Sequence, residues 1–322
     1  MKRYGAMLLS ISLLLLAGCG RGGETGSTTR IAGMVFQEDQ FFRLVLFGMR
    51  DAATQAEVEL LEANSNSRPD REIQLVNTYI AQGVDAIVIS PLSARASVSA
   101  LQRARDAGIV VITYNTTIEG DVPAVFVESD QYQLGASTGR AARDYIEERL
   151  GGRADVAIVT FISQAPEQGH QRTDGFKDQL TELPGVRVVA EQDAWMAEQA
   201  VKKVGDMLTA NPAIEIIWAA NEGGTVGAVM AVKNSGNAGR VVVFGTDMSK
   251  QLADFLLADD GVLQAATGQR PFEIGSMAVD AAVRVLRGDS VARTIALEGV
   301  LLSRDDPDGV LAYKSNLASL TD

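Results

Sequence analysis

Residues 214–269 read IEIIWAANEGGTVGAVMAVKNSGNAGRVVVFGTDMSKQLADFLLADDGVLQAATGQ. Three apolar runs in this stretch, 214–220, 241–244 and 262–266, are short, rich in β-branched residues, and followed by polar residues at Asn221, Asp247 and Gln269. Continuous apolar runs of this length alternating with helix-like segments point to strands buried in a parallel sheet. An open parallel sheet binds ligands beyond the carboxyl ends of its strands. Asn221, Asp247 and Gln269 are therefore expected to converge on one site. Two amides and a carboxylate donate and accept several hydrogen bonds but supply no nucleophile, which suits a polyhydroxylated ligand. The competing reading for each residue alone is a turn former or a helix N-cap.

Working outward, the same alternation repeats. Residues 31–36 (IAGMVF) read as a first strand, 44–56 as a helix, 58–63 as a second strand, and 71–82 as a helix closed by Gly83. DAIVI (85–89) is a third strand stopped by Ser90 and Pro91, 93–107 the next helix, and IVVITY a strand running to Asn115. After residues 121–130 the series restarts: helix 133–150, strand 156–162, helix 172–182, strand 186–190, helix 198–210, then the opening stretch. This is the sequence form of a doubly wound α/β sheet, present twice, so two similar lobes flank a crevice. At 322 residues with 46% hydrophobic content the chain is long enough for two cores.

The chain opens with a targeting segment, in which Lys2 and Arg3 precede the apolar run MLLSISLLLLA and the run ends in LAGC at Cys19. LAGC resembles the bacterial lipobox, whose cysteine is lipidated, so residues 1–19 read as a lipoprotein signal peptide and 20–30 as a flexible tether. The expected location is extracytoplasmic, anchored to the outer face of the cytoplasmic membrane or the periplasmic side of a membrane. Cys19 is the only cysteine, so no disulfide or thiol chemistry is expected after it. The net charge of −12 and the lack of a basic stripe argue against nucleic acid.

The ordered motifs resemble a known family. FF (Phe41, Phe42), DAIVISP (85–91), RxxGF (172–176), NPxIxxIxAxN (211–221), GTD (245–247) and GQxPxxIG (268–275) stand, behind a lipobox, as in type I periplasmic sugar-binding proteins of bacterial ABC importers, in the ribose-binding-like branch. The resemblance covers nearly all of residues 31–298. It implies three chain crossings between lobes, near Asp130, Gln269 and Glu298. The lobes would then be 31–129 plus 270–298 and 130–269 plus 299–322. It also implies hinge closure on a ligand and recognition of the closed form by permease subunits with a cytoplasmic ATPase.

By the same resemblance Phe41, Phe42 and Trp195 sandwich a sugar ring, Arg172 and Asp247 form a charged hydrogen-bonding pair, and Asn221 and Gln269 complete the set. Core packing remains open for the two phenylalanines, and an interlobe salt bridge or a cap for Arg172 and Asp247. Asn115 and Thr116 stand where the branch has Asp-Arg, and Asp39 and Ser90 where it has asparagines. Ribose is therefore not assigned, and another pentose, a hexose, a polyol or a furanosyl compound fits as well. Glu222 reads as an acid at a helix N-terminus, His170 as a loop residue at the rim, and Asp305, Asp306 and Asp308 as a solvated Pro-Gly turn. No metal, cofactor or catalytic residue is expected. GxSxG and P-loop motifs are absent, and GGTVG (223–227) lacks dinucleotide spacing. The expected protein is a monomeric binding protein for import. The alternative is a sensory protein presenting a sugar or autoinducer-like ligand to a chemoreceptor or histidine kinase.

Overall fold

Apolar runs buried on both faces set the architecture. The structure, a computed structural model, describes residues 28–321. Its first series is β1 (Arg30–Val35), α1 (Gln40–Ala56), β2 (Glu59–Asn64), α2 (Pro69–Gln82), β3 (Ala86–Ile89), α3 (Val98–Asp106), β4 (Val110–Tyr114) and β5 (Val125–Ser129). The second is α4 (Gln131–Leu150), β6 (Arg153–Thr160), α5 (Pro166–Asp178), β7 (Gly185–Asp193), α6 (Ala197–Ala210), β8 (Ile214–Ala219), α7 (Glu222–Asn234), β9 (Val242–Thr246), α8 (Lys250–Leu257) and β10 (Leu263–Gly268). The chain ends with α9 (Pro271–Leu286), β11 (Thr294–Leu297), β12 (Val300–Ser303) and α10 (Pro307–Thr321).

The strands form two six-stranded sheets, ordered β11-β5-β4-β3-β1-β2 and β12-β10-β9-β8-β6-β7. Strand for strand the two orders correspond, and every pairing is parallel except β10 with β12. The chain passes between sheets at Asp130, at Gln269–Arg270 and at Glu298–Gly299.

Each sheet is covered by a pair of helices that meet through glycine. A Cβ on Gly48 of α1 would lie 1.9 Å from the Phe272 carbonyl oxygen, and one on Gly275 of α9 would lie 2.0 Å from that of Val45. The other lobe repeats this: Gly135 of α4 against the Arg172 carbonyl at 1.9 Å, and Gly175 of α5 against that of Tyr132 at 2.1 Å. No side chain fits at those approaches, so the helix axes come unusually close. Because α4 and α9 each begin right after a crossing, this packing also fixes where the crossing segments enter their lobes.

Three sequence expectations are corrected. The helix expected over 93–107 begins at Val98, because the Ser93 hydroxyl accepts from the Arg95 and Ala96 amides and holds that segment in turns. The helix expected over 172–182 is Pro166–Asp178, started by proline in the first turn, so His170 and Arg172 sit inside it rather than in a loop and at its entrance. The RDDPDG segment opens α10, with the Asp306 carboxylate accepting from the Gly309 amide at 3.0 Å. Among the described residues there is no metal-holding cluster, and no helix is long and apolar enough to cross a membrane. Cys19, the signal segment and most of the tether lie outside the described residues.

Candidate functional site

The carboxyl ends of both sheets face a shared cavity of about 430 Å³. Segments just after seven strands reach it: Phe36 and Gln37 after β1, Asn115 and Thr116 after β4, Phe161 after β6, Trp195 after β7, Asn221 and Glu222 after β8, Asp247 after β9, and Gln269 after β10. Asn115 and Asp247 occupy corresponding places in the two sheets, and both adopt left-handed backbone, with φ of 59° and 68°. Asparagine and aspartate tolerate that region better than other non-glycine residues. The requirement accounts for their identity at these two turns independently of any ligand.

The C-terminal lobe builds its part around Arg172. This side chain is 3% exposed, donates from Nε to Gln131 Oε1 (2.8 Å) and from Nη1 to the Ala220 carbonyl (2.8 Å) and Asp247 Oδ2 (3.1 Å), and lies 4.9 Å from the Phe161 ring centroid. Nη2 has no hydrogen-bond partner among the described residues, so one donor edge stays free. Asp247 Oδ2 also accepts from the Glu222 amide (3.2 Å), and Oδ1 accepts from Gln269 Nε2 (2.7 Å).

From there the network reaches the crossings. The Ser129 hydroxyl donates to Gln269 Oε1 at 2.8 Å, and Gln131 Nε2 donates to the Ser129 carbonyl at 3.1 Å. Ser129, Gln269, Asp247, Arg172 and Gln131 thus form a closed circuit joining two of the segments where the chain passes between sheets to the cavity wall.

Asn221 both caps and positions. Its Oδ1 accepts from the Gly224 amide (3.0 Å) as the N-cap of α7, and its Nδ2 donates to the Trp195 carbonyl (2.9 Å), pinning the loop between β7 and α6. Gly223 permits this approach, since a Cβ there would lie 2.2 Å from the same carbonyl. Asp39 is the N-cap of α1, accepting from the Phe42 amide at 2.9 Å and from the Gln37 side chain. The N-cap reading and the cavity reading therefore hold together for Asn221 and Asp39.

Of the candidate contacts, Asp39, Phe41, Phe42, Asn115, Thr116, Arg172, Trp195, Asn221, Asp247 and Gln269 line the cavity, and Ser90 does not. Ser90 is 1% exposed and accepts from Asn115 Nδ2 at 3.4 Å. Glu72 accepts from the Leu92 amide and the Ser97 hydroxyl, which draws the loop after β3 towards α2 and away from the cleft. Phe42 reaches the wall but is only 3% exposed, packed among Phe36, Phe41 and Tyr114, so the core alternative describes most of its surface.

Several lining residues escaped sequence reasoning. Gln164 lies in the turn between β6 and α5 and Gln168 in the first turn of α5; Gln168 Nε2 donates to the Asn115 carbonyl at 3.1 Å, a direct bond between lobes. Glu222, read only as a helix-end acid, also lines the cavity. Desolvation by the cleft walls pushes its carboxyl above the usual range, a hydrogen bond with Ser249 opposes this, and the charges of Asp247 and Asp39 add to the rise. Tyr313 arrives from α10, with no local signal. Burial, then Glu222 and Asp247, push its phenol up to about 12, so it remains a neutral donor, bonded to the Met248 carbonyl at 3.4 Å.

Residues 33–290 match the model of the periplasmic binding protein domain. The chain belongs to the periplasmic-binding-protein family. Among curated relatives, this periplasmic binding protein is 31% identical over 264 residues to the ABC transporter periplasmic-binding protein YphF of Escherichia coli, covering 80% of this chain and 79% of that one. It is 29% identical over 279 residues to a D-ribose/D-allose-binding protein of Pseudomonas aeruginosa, covering 83% and 85% of the two chains. Among solved structures, a periplasmic solute binding protein of an ABC transporter from Actinobacillus succinogenes, with bound D-allose, superposes with a TM-score of 0.77 at 26% identity over 88% of this chain and all of that one. A periplasmic ribose ABC transporter protein from Conexibacter woesei shares the fold, with a TM-score of 0.80 at 23% identity over 90% and 97% of the two chains. The two lobes of six-stranded, mostly parallel sheets are the type I architecture of this family of binding proteins.

Proposed function

We propose that this chain is the extracytoplasmic, lipid-anchored solute-binding component of an ABC importer, which captures a small sugar or polyol between its lobes and presents the closed form to a membrane permease. The observation that carries this reading is the Arg172–Asp247–Gln269 constellation at the carboxyl ends of the second sheet, facing Asn115 and Thr116 of the first across one cavity. An arginine edge, a carboxylate and amides offer donors and acceptors in the plane of a sugar's hydroxyls, while Phe41 and Trp195 offer flat apolar surface for its C–H faces. The names of the relatives and the bound D-allose support the ligand class.

The test is a thermal-shift panel on the purified full chain in detergent, with aldoses, ketoses, polyols and nucleosides. A ligand at about 100 times its Kd adds roughly 2.7 kcal/mol to the folded state. A clear rise in Tm with one sugar or polyol class is expected, and no rise with any compound would sink the reading. For the anchor, Cys19→Ala is expected to move the protein from the membrane to the soluble fraction of cells; retention in the membrane would refute lipidation at Cys19.

A further inference from the structure

The charge of the cleft lining does not balance. Asp39 reaches the cavity from the N-terminal lobe and Glu222 and Asp247 from the C-terminal lobe, while among the described residues Arg172 is the only cationic side chain in the wall. Arg172 is already paired with Asp247 at 3.1 Å. Asp39 and Glu222 each stand at the start of a helix, α1 and α7. Even granting each helix end about half a positive charge, roughly one negative charge remains uncompensated.

The placement on two lobes gives that surplus a consequence. Closing the cleft brings Asp39 of one lobe towards Glu222 and Asp247 of the other and removes the water that screens them, so the repulsion between these carboxylates grows as the lobes approach. A neutral sugar leaves the repulsion in place. A cationic group between Asp39 and Glu222 reverses it and turns closure from a cost into a gain.

We propose that the ligand of this cleft is a polyhydroxylated ring bearing a protonated amine, such as an amino sugar or an aminocyclitol, with the ammonium group held between Asp39 and Glu222 and the hydroxyls at Arg172, Asp247 and Gln269. This rests on the solute-binding reading above and specifies its ligand. Tyr313, a neutral donor beside Glu222 and Asp247, adds no positive charge that could serve instead.

The experiment is isothermal titration of the full chain in detergent at low ionic strength with matched sets: D-glucose, D-glucosamine and N-acetyl-D-glucosamine; the galactose equivalents; and myo-inositol with its amino-deoxy counterpart. In at least one set the amine is expected to bind roughly tenfold or more tighter than its hydroxyl parent and any acetamido form, a margin that shrinks with added salt. Asp39→Asn, which keeps a good N-cap, and Glu222→Gln are each expected to narrow the margin at least about threefold. Hydroxyl parents binding as tightly as the amines throughout, or a margin that neither substitution touches, overturns the amine proposal and leaves sugar binding standing. No binding of any compound overturns both.

Discussion

Asp247→Ala is expected to cost about 2 to 3 kcal/mol of folding stability, because it strips the carboxylate from a guanidinium that is only 3% exposed. The cost falls at or just below the lower end of the roughly 3 to 5 kcal/mol of a fully buried broken pair, since Asp247 itself is 21% exposed and water can enter its place. Arg172 would keep Gln131 and the Ala220 carbonyl, while Gln269 and the Glu222 amide would each lose an acceptor. Ligand affinity is expected to fall at least about a hundredfold, the usual outcome of truncating one member of a buried hydrogen-bonded charge pair. Asp247→Asn separates the two effects: asparagine tolerates the left-handed φ of 68° and keeps one acceptor, so stability should fall by less than about 1.5 kcal/mol. Its affinity should still fall steeply, because the amide nitrogen that replaces one carboxylate oxygen donates and cannot accept from a ligand hydroxyl, and the charge that pairs with Arg172 is lost. Urea denaturation and calorimetric titration of both variants read this directly. A stable Asp247→Ala protein with unchanged affinity would remove Asp247 from the site.

The lining of the candidate cavity is legible in the sequence where chemistry and local pattern coincide. Strand ends are short apolar runs that stop at a polar residue, and Asn221, Asp247 and Gln269 were found from that alone. Gln164 and Gln168 do not follow that rule: the run through β6 stops at Ser163, and the two glutamines reach the cavity from the turn and the first turn of α5, whose proline start sets a helix earlier than apolar periodicity alone indicates. The two-lobe count followed from the repeated alternation, but the crossings at Asp130, Gln269 and Glu298 came only from family resemblance, because nothing local distinguishes a hinge strand from a loop. Tyr313 and the retreat of Ser90 depend on contacts distant in sequence: α10 packing beside β12, and Glu72 holding the loop at Leu92. Single-residue patterns carry no record of such pairings. The left-handed backbone at Asn115 and Asp247 falls between, since asparagine and aspartate permit that conformation without demanding it.

The helix interlocks give the second large effect. Gly135→Ala is expected to destabilise the protein by about 3 kcal/mol, because the new methyl would stand 1.9 Å from the Arg172 carbonyl oxygen, and backbone cannot rotate aside as a side chain can. Gly48→Ala meets the Phe272 carbonyl at the same 1.9 Å and should cost a similar amount, since the two lobes use the same device. Their effects on binding should differ. Gly135 presses on the residue whose guanidinium holds Asp247, so separating α4 from α5 displaces the Arg172 circuit, whereas separating α1 from α9 shifts Asp39, Phe41 and Phe42 and leaves that circuit in place, so Gly135→Ala should cost more affinity. Gly205 supplies the control: it lies inside α6 with nothing near its absent Cβ, so Gly205→Ala should stabilise by about 0.5 to 1 kcal/mol through helix propensity alone. Denaturant unfolding of the three variants, followed by titration of whichever ligand the panel identifies, tests the reasoning. If Gly135→Ala unfolds early yet binds as tightly as the parent protein, the helix crossing stabilises the lobe without positioning Arg172, and the orientation of the guanidinium must come from Gln131 and Ala220 instead.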